Sequence, residues 1–243
     1  MNDVAIRGSD ASRSFGSRRA LDACSFEVPT GCVSALVGLN GSGKTTLMRA
    51  AAGFLELNSG QIAVGGQPVR FAAPPLLGYL PQAKPLPGSL RVKDLIGYAT
   101  ELSGHRLDVP VARQWLEDEG LPPGQRVGDL SGGQRTQLAL AVAVARGSAV
   151  LALDEPMADL DPLARERLAE RLTALAAQGR TVLVSSHAVS ELARWCDFLV
   201  VIDAGRALEC TRVDPDEADG LESHVLDLLR AAQASRRTGG SRT

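Results

Sequence analysis

The chain has 243 residues, 44% of them hydrophobic, which is enough to bury one substantial core and too apolar for a disordered polymer. Its 26 Lys and Arg against 28 Asp and Glu give a formal net charge of −2, with no basic face for a nucleic-acid backbone, so no nucleic-acid partner is expected. Residues 1–10 hold no apolar signal core, and the longest apolar stretch, 138–145, falls far short of the roughly 18 to 20 residues of a spanning helix. A cytoplasmic protein that does not itself cross a membrane is therefore expected.

In chain order, strand-like runs at 24–28 and 61–64 are bounded by the turn residues Pro29-Thr30-Gly31 and Asn58-Ser59-Gly60, which suggests a small antiparallel sheet. Residues 33–37 read as a buried strand, and residues 47–52 as a helix. Between 85 and 146 strand-sized runs are scarce. There Val92, Leu95, Ile96 and Ala99 fall on one helical face, with Trp115 and Leu116 in a later turn, so a helical subdomain is expected at about 84–146. Apolar runs at 150–153, 181–185 and 198–202 complete an α/β pattern with a largely parallel core sheet. Past Thr211 only Leu221, Val225, Leu228 and Leu229 recur at helical spacing, reading as a short packed helix, and residues 236–243 are expected to be disordered. Cys24, Cys32, Cys196 and Cys210 form no C-x-x-C pair or zinc spacing and read as buried reduced thiols.

The chemistry concentrates in three short stretches. Gly38-Leu39-Asn40-Gly41-Ser42-Gly43-Lys44-Thr45-Thr46 follows a strand and opens a helix, the context in which small residues let several backbone N–H groups converge on phosphate oxygens. Lys44 would neutralise the β- and γ-phosphates, the Thr45 hydroxyl would ligate Mg²⁺, and Thr46 would sit near the α-phosphate. Average composition produces this pattern by chance in about one chain of this length in a hundred. The strand at 150–153 ends in Asp154-Glu155, where ligands bind in an open α/β sheet. Alone, such a pair is a cap or a loop. Behind a phosphate loop, Asp154 reads as a Mg²⁺ holder, and Glu155 as the residue that polarises the attacking water. The third stretch, Leu130-Ser131-Gly132-Gly133-Gln134, precedes an Ala/Leu-rich helix whose free N–H groups and dipole could cradle a second anion.

These motifs together resemble the ATP-binding subunit of an ABC transporter, from about residue 4 to residue 210. The resemblance implies a P-loop NTPase core, with domain limits 1–212 and a C-terminal helix and tail at 213–243. ATP and Mg²⁺ are the implied cofactors, and the implied partner is a second ATP-binding subunit. In a head-to-tail homodimer, Leu130, Ser131, Gly132, Gly133 and Gln134 would face the ATP held by the other copy. Phe15 resembles the aromatic that stacks on adenine, with an ordinary core phenylalanine as the alternative. Gln82 resembles the glutamine that contacts Mg²⁺ and water, Asp161 the interface-loop carboxylate, and His187 the switch histidine. Thr136, Gln137 and Val142 depart from the family, which usually has a glutamine-arginine pair and a later arginine there. Arg91-Val92 stands where threonine-valine is common. The resemblance further implies a separate transmembrane permease that holds the subunit on the inner face of the membrane. The Ser185-Ser186-His187 variant favours export. A soluble ABC-type ATPase of cofactor assembly is the open alternative.

Overall fold

The computed structural model describes residues 3–73, 75–104, 106–214 and 218–239. Its first layer is an antiparallel sheet. β1 (Val4–Phe15) and β2 (Arg18–Pro29) pair over the turn at Gly16, and β4 (Ser59–Val64) and β5 (Gln67–Pro68) extend the sheet in the order β2-β1-β4-β5. β1 was not expected as a strand. It holds Gly8, Asp10 and three serines, and its pairing with both neighbours, broken by register shifts after Gly8, overrides that poor propensity.

The second sheet has the order β10-β9-β3-β8-β7-β6. β3 (Val33–Val37), β6 (Gly78–Leu80), β7 (Val150–Asp154), β8 (Thr181–Ser186) and β9 (Phe198–Asp203) are mutually parallel, and β10 (Arg206–Arg212) closes one edge antiparallel to β9. A period of two divides the side chains of these strands between two cores. Val33, Ala35, Val37, Leu151, Leu153, Val182 and Val184 join one, whereas Leu36, Val150, Ala152, Leu183 and Val200 join the other. Both faces are buried, so the strands read as unbroken apolar runs. The second core also contains Leu47 and Met48 of α1 (Lys44–Ala51) and the inner face of the antiparallel sheet.

The first core extends into the helical region expected between the Gln82 loop and β7. α2 (Val92–Leu102) buries Val92, Leu95 and Ile96, and α3 (Val109–Asp118) buries Ala112, Trp115 and Leu116. A 3₁₀ turn (Val127–Asp129) then leads to α4 (Gly132–Ala145). The departures Thr136 and Gln137 lie inside this packing. Thr136 is fully buried, and Gln137 Oε1 accepts a bond of 2.9 Å from Trp115 Nε1. The Arg171 guanidinium, on α5 (Pro162–Ala177), stacks 4.5 Å over the Trp115 ring and pairs with Asp118 and Glu119 at the end of α3. Val142 is half-buried. Nothing in the structure explains the change at Arg91-Val92.

α6 (Val189–Leu192) follows β8, and α7 (Ala218–Gly239) packs against it through the buried Val225 and Leu229. The C-terminal helix is longer than expected. Residues 236–239, expected to be disordered, continue it, and Arg236 pairs with Asp203 at the end of β9; residues 240–243 lie outside the described residues. The cysteine reading also needs correction. Cys24 and Cys196 are buried, but Cys32 is only half-buried and Cys210 is exposed, because β10 is an edge strand. Among the described residues, no helix is long and apolar enough to cross a membrane, and no cluster of three or more His, Cys, Asp or Glu could hold a metal.

Candidate functional site

The loop between β3 and α1 sits at the carboxyl edge of the parallel sheet, and two of its glycines cannot be replaced without moving backbone. A Cβ on Gly38 would lie 2.1 Å from the Ile202 carbonyl, and one on Gly43, at φ 115°, 2.6 Å from the Ala20 carbonyl. The loop is thus wedged between the turn after β9 and β2, and the Gly205 amide donates to the Ser42 carbonyl at 2.7 Å. Lys44 is buried. Its Nζ donates to the carbonyls of Gly38 (2.7 Å) and Leu39 (3.2 Å), while burial pulls its ammonium below the usual lysine range against the carboxylates of Glu155 and Asp154. Ser42 Oγ is buried without a hydrogen-bond partner. A group in that state in a glycine-rich loop suits an incoming oxygen-rich ligand.

Above the loop opens a cleft of about 560 Å³. Asn40, Gly41, Ser42, Gly43, Lys44, Thr45 and Thr46 form its floor, and Gln82, Glu155 and His187 one wall. Phe15 lines it from the opposite sheet with 47% of its surface exposed, which removes the core-phenylalanine alternative. The Arg13 guanidinium stands 5.0 Å from the Phe15 ring centroid. Arg18 also lines the cleft, close above Gly41, and was not anticipated. It follows the turn at Gly16 in a stretch without a recognisable pattern.

At the end of β7 the two carboxylates separate. Asp154 is fully buried and does not line the cleft; its Oδ1 accepts from Ser185 Oγ at 2.6 Å, and its Oδ2 lies 3.5 Å from the Tyr79 hydroxyl. Burial beside this carboxylate pushes the Tyr79 phenol well above its ordinary range. Glu155 turns into the cleft because its backbone is left-handed, φ 47°, a conformation that costs a non-glycine residue about 1–3 kcal/mol and must be held by its surroundings. The Ser185 hydroxyl supplies part of that hold, accepting from the Glu155 amide at 2.9 Å while donating to Asp154. Ser185 pairs in register with Asp154 across β7 and β8, so it lies next to both carboxylates. His187 Nδ1 is 3.4 Å from Glu155 Oε2.

Residues 130–134 are not in this cleft. Leu130 is buried, whereas Ser131 and Gly132 are exposed. Ser131 Oγ accepts from the Gln134 amide, and Gln134 Oε1 accepts from the Ser131 amide, a reciprocal cap on α4. Asp161 is exposed and caps α5 by accepting from the Ala164 amide at 3.0 Å.

The sequence profile of the ABC transporter family matches residues 21–158. The Nod factor export ATP-binding protein I of Rhizobium meliloti is 35% identical over 213 residues, covering 84% of this chain and 63% of that protein. The protein of the same name from Rhizobium etli is 32% identical over 98% of this chain and 74% of its own length. The chain thus spans somewhat less than two thirds of the first of these relatives. A solved ATP-binding subunit of an ABC transporter, 25% identical, superposes with a TM-score of 0.77 over 92% of this chain and 99% of its own. A bacterial ABC transporter cassette solved as a dimer, 18% identical, gives a TM-score of 0.77 over 86% of this chain and 99% of its own, and bears on the fold alone.

Proposed function

This chain belongs to the ABC transporter family of ATP-binding subunits, and from that premise we propose that it is the Mg²⁺-dependent ATPase of an exporter, working as a head-to-tail homodimer that drives a separate membrane permease. One observation carries the reading. The phosphate loop, Gln82, Glu155 and His187 line a single cleft, while Ser131 stands exposed outside it, as a group meant for another molecule's nucleotide would.

The donor set suits a hard divalent cation. The Thr45 hydroxyl, the Gln82 amide and the Asp154 carboxylate are all oxygen ligands of the kind Mg²⁺ takes, and Asp154 would hold it directly or through water. When bound, Mg²⁺ neutralises charge on the transferring phosphoryl group. Lys44 exchanges the carbonyls of Gly38 and Leu39 for the β- and γ-phosphates, and the loop amides and the Ser42 hydroxyl donate to the remaining oxygens. Phe15 offers its ring to adenine. Glu155 orients the attacking water and takes its proton, and His187, beside it, bonds the γ-phosphate. Ser131 and the amides of Gly132 and Gly133 close on the partner's γ-phosphate, with Asp161 in the loop that crosses the interface.

Moving closure from 1:99 to 99:1 needs about 5.5 kcal/mol of differential affinity, which two ATP molecules gripped from both sides only in the closed dimer would help to supply. A second cleft of about 430 Å³ is lined by Gly53, Val69 and the exposed Leu76, and the exposed Phe54 and Phe71 are chain neighbours of its lining residues Gly53 and Arg70, which supports docking of an apolar partner such as a permease. The export direction rests on the Nod factor export relatives.

The test is phosphate release and sizing of the purified chain. Glu155→Gln is expected to keep ATP binding, to cut turnover by at least about 10²-fold, and to elute as an ATP-dependent dimer. Unchanged turnover in that variant would defeat the assignment. Reconstitution with a candidate membrane permease tests the partner and the direction of transport.

A further inference from the structure

Three segments used in this reading meet at one carboxylate outside the nucleotide cleft. Lys84, two residues beyond Gln82, adopts a left-handed backbone, φ 45°, and its amide donates to the Pro81 carbonyl at 3.2 Å. Its side chain is only 4% exposed, and its Nζ lies 2.7 Å from Asp159 Oδ2. Withdrawing an ammonium from water is costly unless it is paired, so this contact explains why the lysine can be buried. Asp159 stands in the loop between β7 and α5, two residues before Asp161. The same oxygen receives a longer contact, 3.5 Å, from the hydroxyl of the fully buried Thr136, which also donates to the Gly132 carbonyl. The loop itself presses on the start of α4. A Cβ on Gly133 would lie 3.1 Å from the Asp159 carbonyl, and one on Gly132 would lie 3.4 Å from Asp159 Cβ. The hydrogen bond from Lys84 holds the Asp159 carboxyl below the usual range.

We propose that Lys84 and Asp159 are positioning residues that form a latch, tying the Gln82 loop to the interface loop and, through Asp159, to the start of α4 that bears Ser131. The latch rests on the roles given above to Gln82 and Ser131. Along the chain those two residues are separated by α2 and α3; through the latch they are joined by one ion pair and one packed loop. A displacement of the Gln82 backbone is therefore passed directly to residues 131–134. Without the ion pair, the Gln82 loop and residues 131–134, which serve different ATP sites of the proposed dimer, drift relative to each other while the phosphate loop, built from β3 and α1, is untouched.

The test compares the wild type with Asp159→Ala, Lys84→Met and the exchanged pair Lys84→Asp/Asp159→Lys. Aspartate tolerates the left-handed backbone at 84, and position 159 is exposed enough for a lysine. Steady-state kinetics should show kcat lowered by about 10- to 100-fold, the scale of a small misplacement of reacting groups, with KM for ATP nearly unchanged. The exchanged pair should recover most of that loss. Amide hydrogen exchange should rise together at 82–84 and 131–136 in each single variant. Should Asp159→Ala fail to fold, Asp159→Asn, which keeps the shape and drops the charge, takes its place in both measurements. Wild-type kcat and exchange in the single variants overturn the latch, and so does a loss shared between kcat and KM without recovery in the exchanged pair. If the wild type itself hydrolyses no ATP, the functional reading falls, and the exchange measurements alone decide the latch.

Discussion

Ser185→Ala removes one oxygen atom and should injure both stability and turnover. In the native protein that hydroxyl donates to the fully buried Asp154 carboxylate at 2.6 Å and accepts from the Glu155 amide at 2.9 Å. Alanine leaves the buried Asp154 carboxylate and the part-buried Glu155 amide without these bonds, and the Tyr79 hydroxyl, 3.5 Å from the other Asp154 oxygen, is too far to compensate. An orphaned amide costs about 1–3 kcal/mol and a lost bond to a charged group about 1.5–3, so about 2.5–6 kcal/mol in all. For a domain of this size each kcal/mol is about 2–4 °C in Tm, so the melting point should fall by about 5–24 °C. Ser186→Ala is the matched control. Its hydroxyl accepts only from the Ala188 amide at 2.9 Å, nearer the surface, and should cost about 1 kcal/mol. Urea unfolding followed by circular dichroism measures both. Loss of the amide bond also frees the left-handed turn that aims Glu155, so kcat should drop about 10-fold at saturating ATP. If the two alanine variants unfold at the same urea concentration and turn over equally, Ser185 is not the brace described here.

Phe15→Ala should weaken ATP binding by about 5- to 150-fold, the equivalent of about 1–3 kcal/mol of base stacking, with kcat preserved and Phe15→Tyr close to wild type; equilibrium nucleotide titration reads it, and unaltered affinity removes Phe15 from the adenine site. Trp115→Phe and Gln137→Leu each strand one partner of a buried hydrogen bond and should cost about 1–3 kcal/mol. Together they should cost less than their sum in urea unfolding, and strict additivity would show that the bond contributes nothing. Iodoacetamide should label the native protein first at Cys210, whereas Cys24 and Cys196, buried with thiols pushed up to about 12, should react only after unfolding. Mass spectrometry that finds Cys24 labelled as fast as Cys210 contradicts that burial.

The phosphate loop was legible because its function demands residue types that are rare together: glycines where another backbone approaches within a Cβ radius, then lysine and threonine at a helix start. The parallel strands were legible because burial on both faces leaves them mostly apolar, with Ser34 the buried polar exception inside β3. Local pattern fails where pairing decides. β1 becomes a strand because β2 and β4 take up its backbone groups, and Asp10 adopts φ 48° within it. Ser185 stood in plain view beside His187, yet its role depends on register across β7 and β8, which no single stretch of sequence carries. Lys84 and Asp159 are likewise ordinary loop residues until folding sets them 2.7 Å apart. Residues 236–239 read as a polar tail because the partner of Arg236, Asp203, lies in a different element.

The free subunit holds most of its reactive groups in internal bonds, and this bears on how closure could be driven. Ser131 and Gln134 cap each other, Lys44 rests on two loop carbonyls, and His187 leans on Glu155. In the proposed dimer the partner's phosphate leaves the Ser131 cap in place: the cap uses a lone pair of Ser131 Oγ, so its hydroxyl hydrogen is free to donate to the phosphate in a charge-assisted bond of about 1.5–3 kcal/mol. For the pair of sites that is about 3–6 kcal/mol, the order of the about 5.5 kcal/mol needed to carry closure from rare to dominant. The amides of Gly132 and Gly133 and the surface buried between the subunits add to it, against the cost of ordering two subunits in one complex. The reciprocal cap therefore acts as a brace. It keeps residues 131–134 ordered in the absence of nucleotide, so the Ser131 hydroxyl can meet a γ-phosphate without first breaking an internal bond.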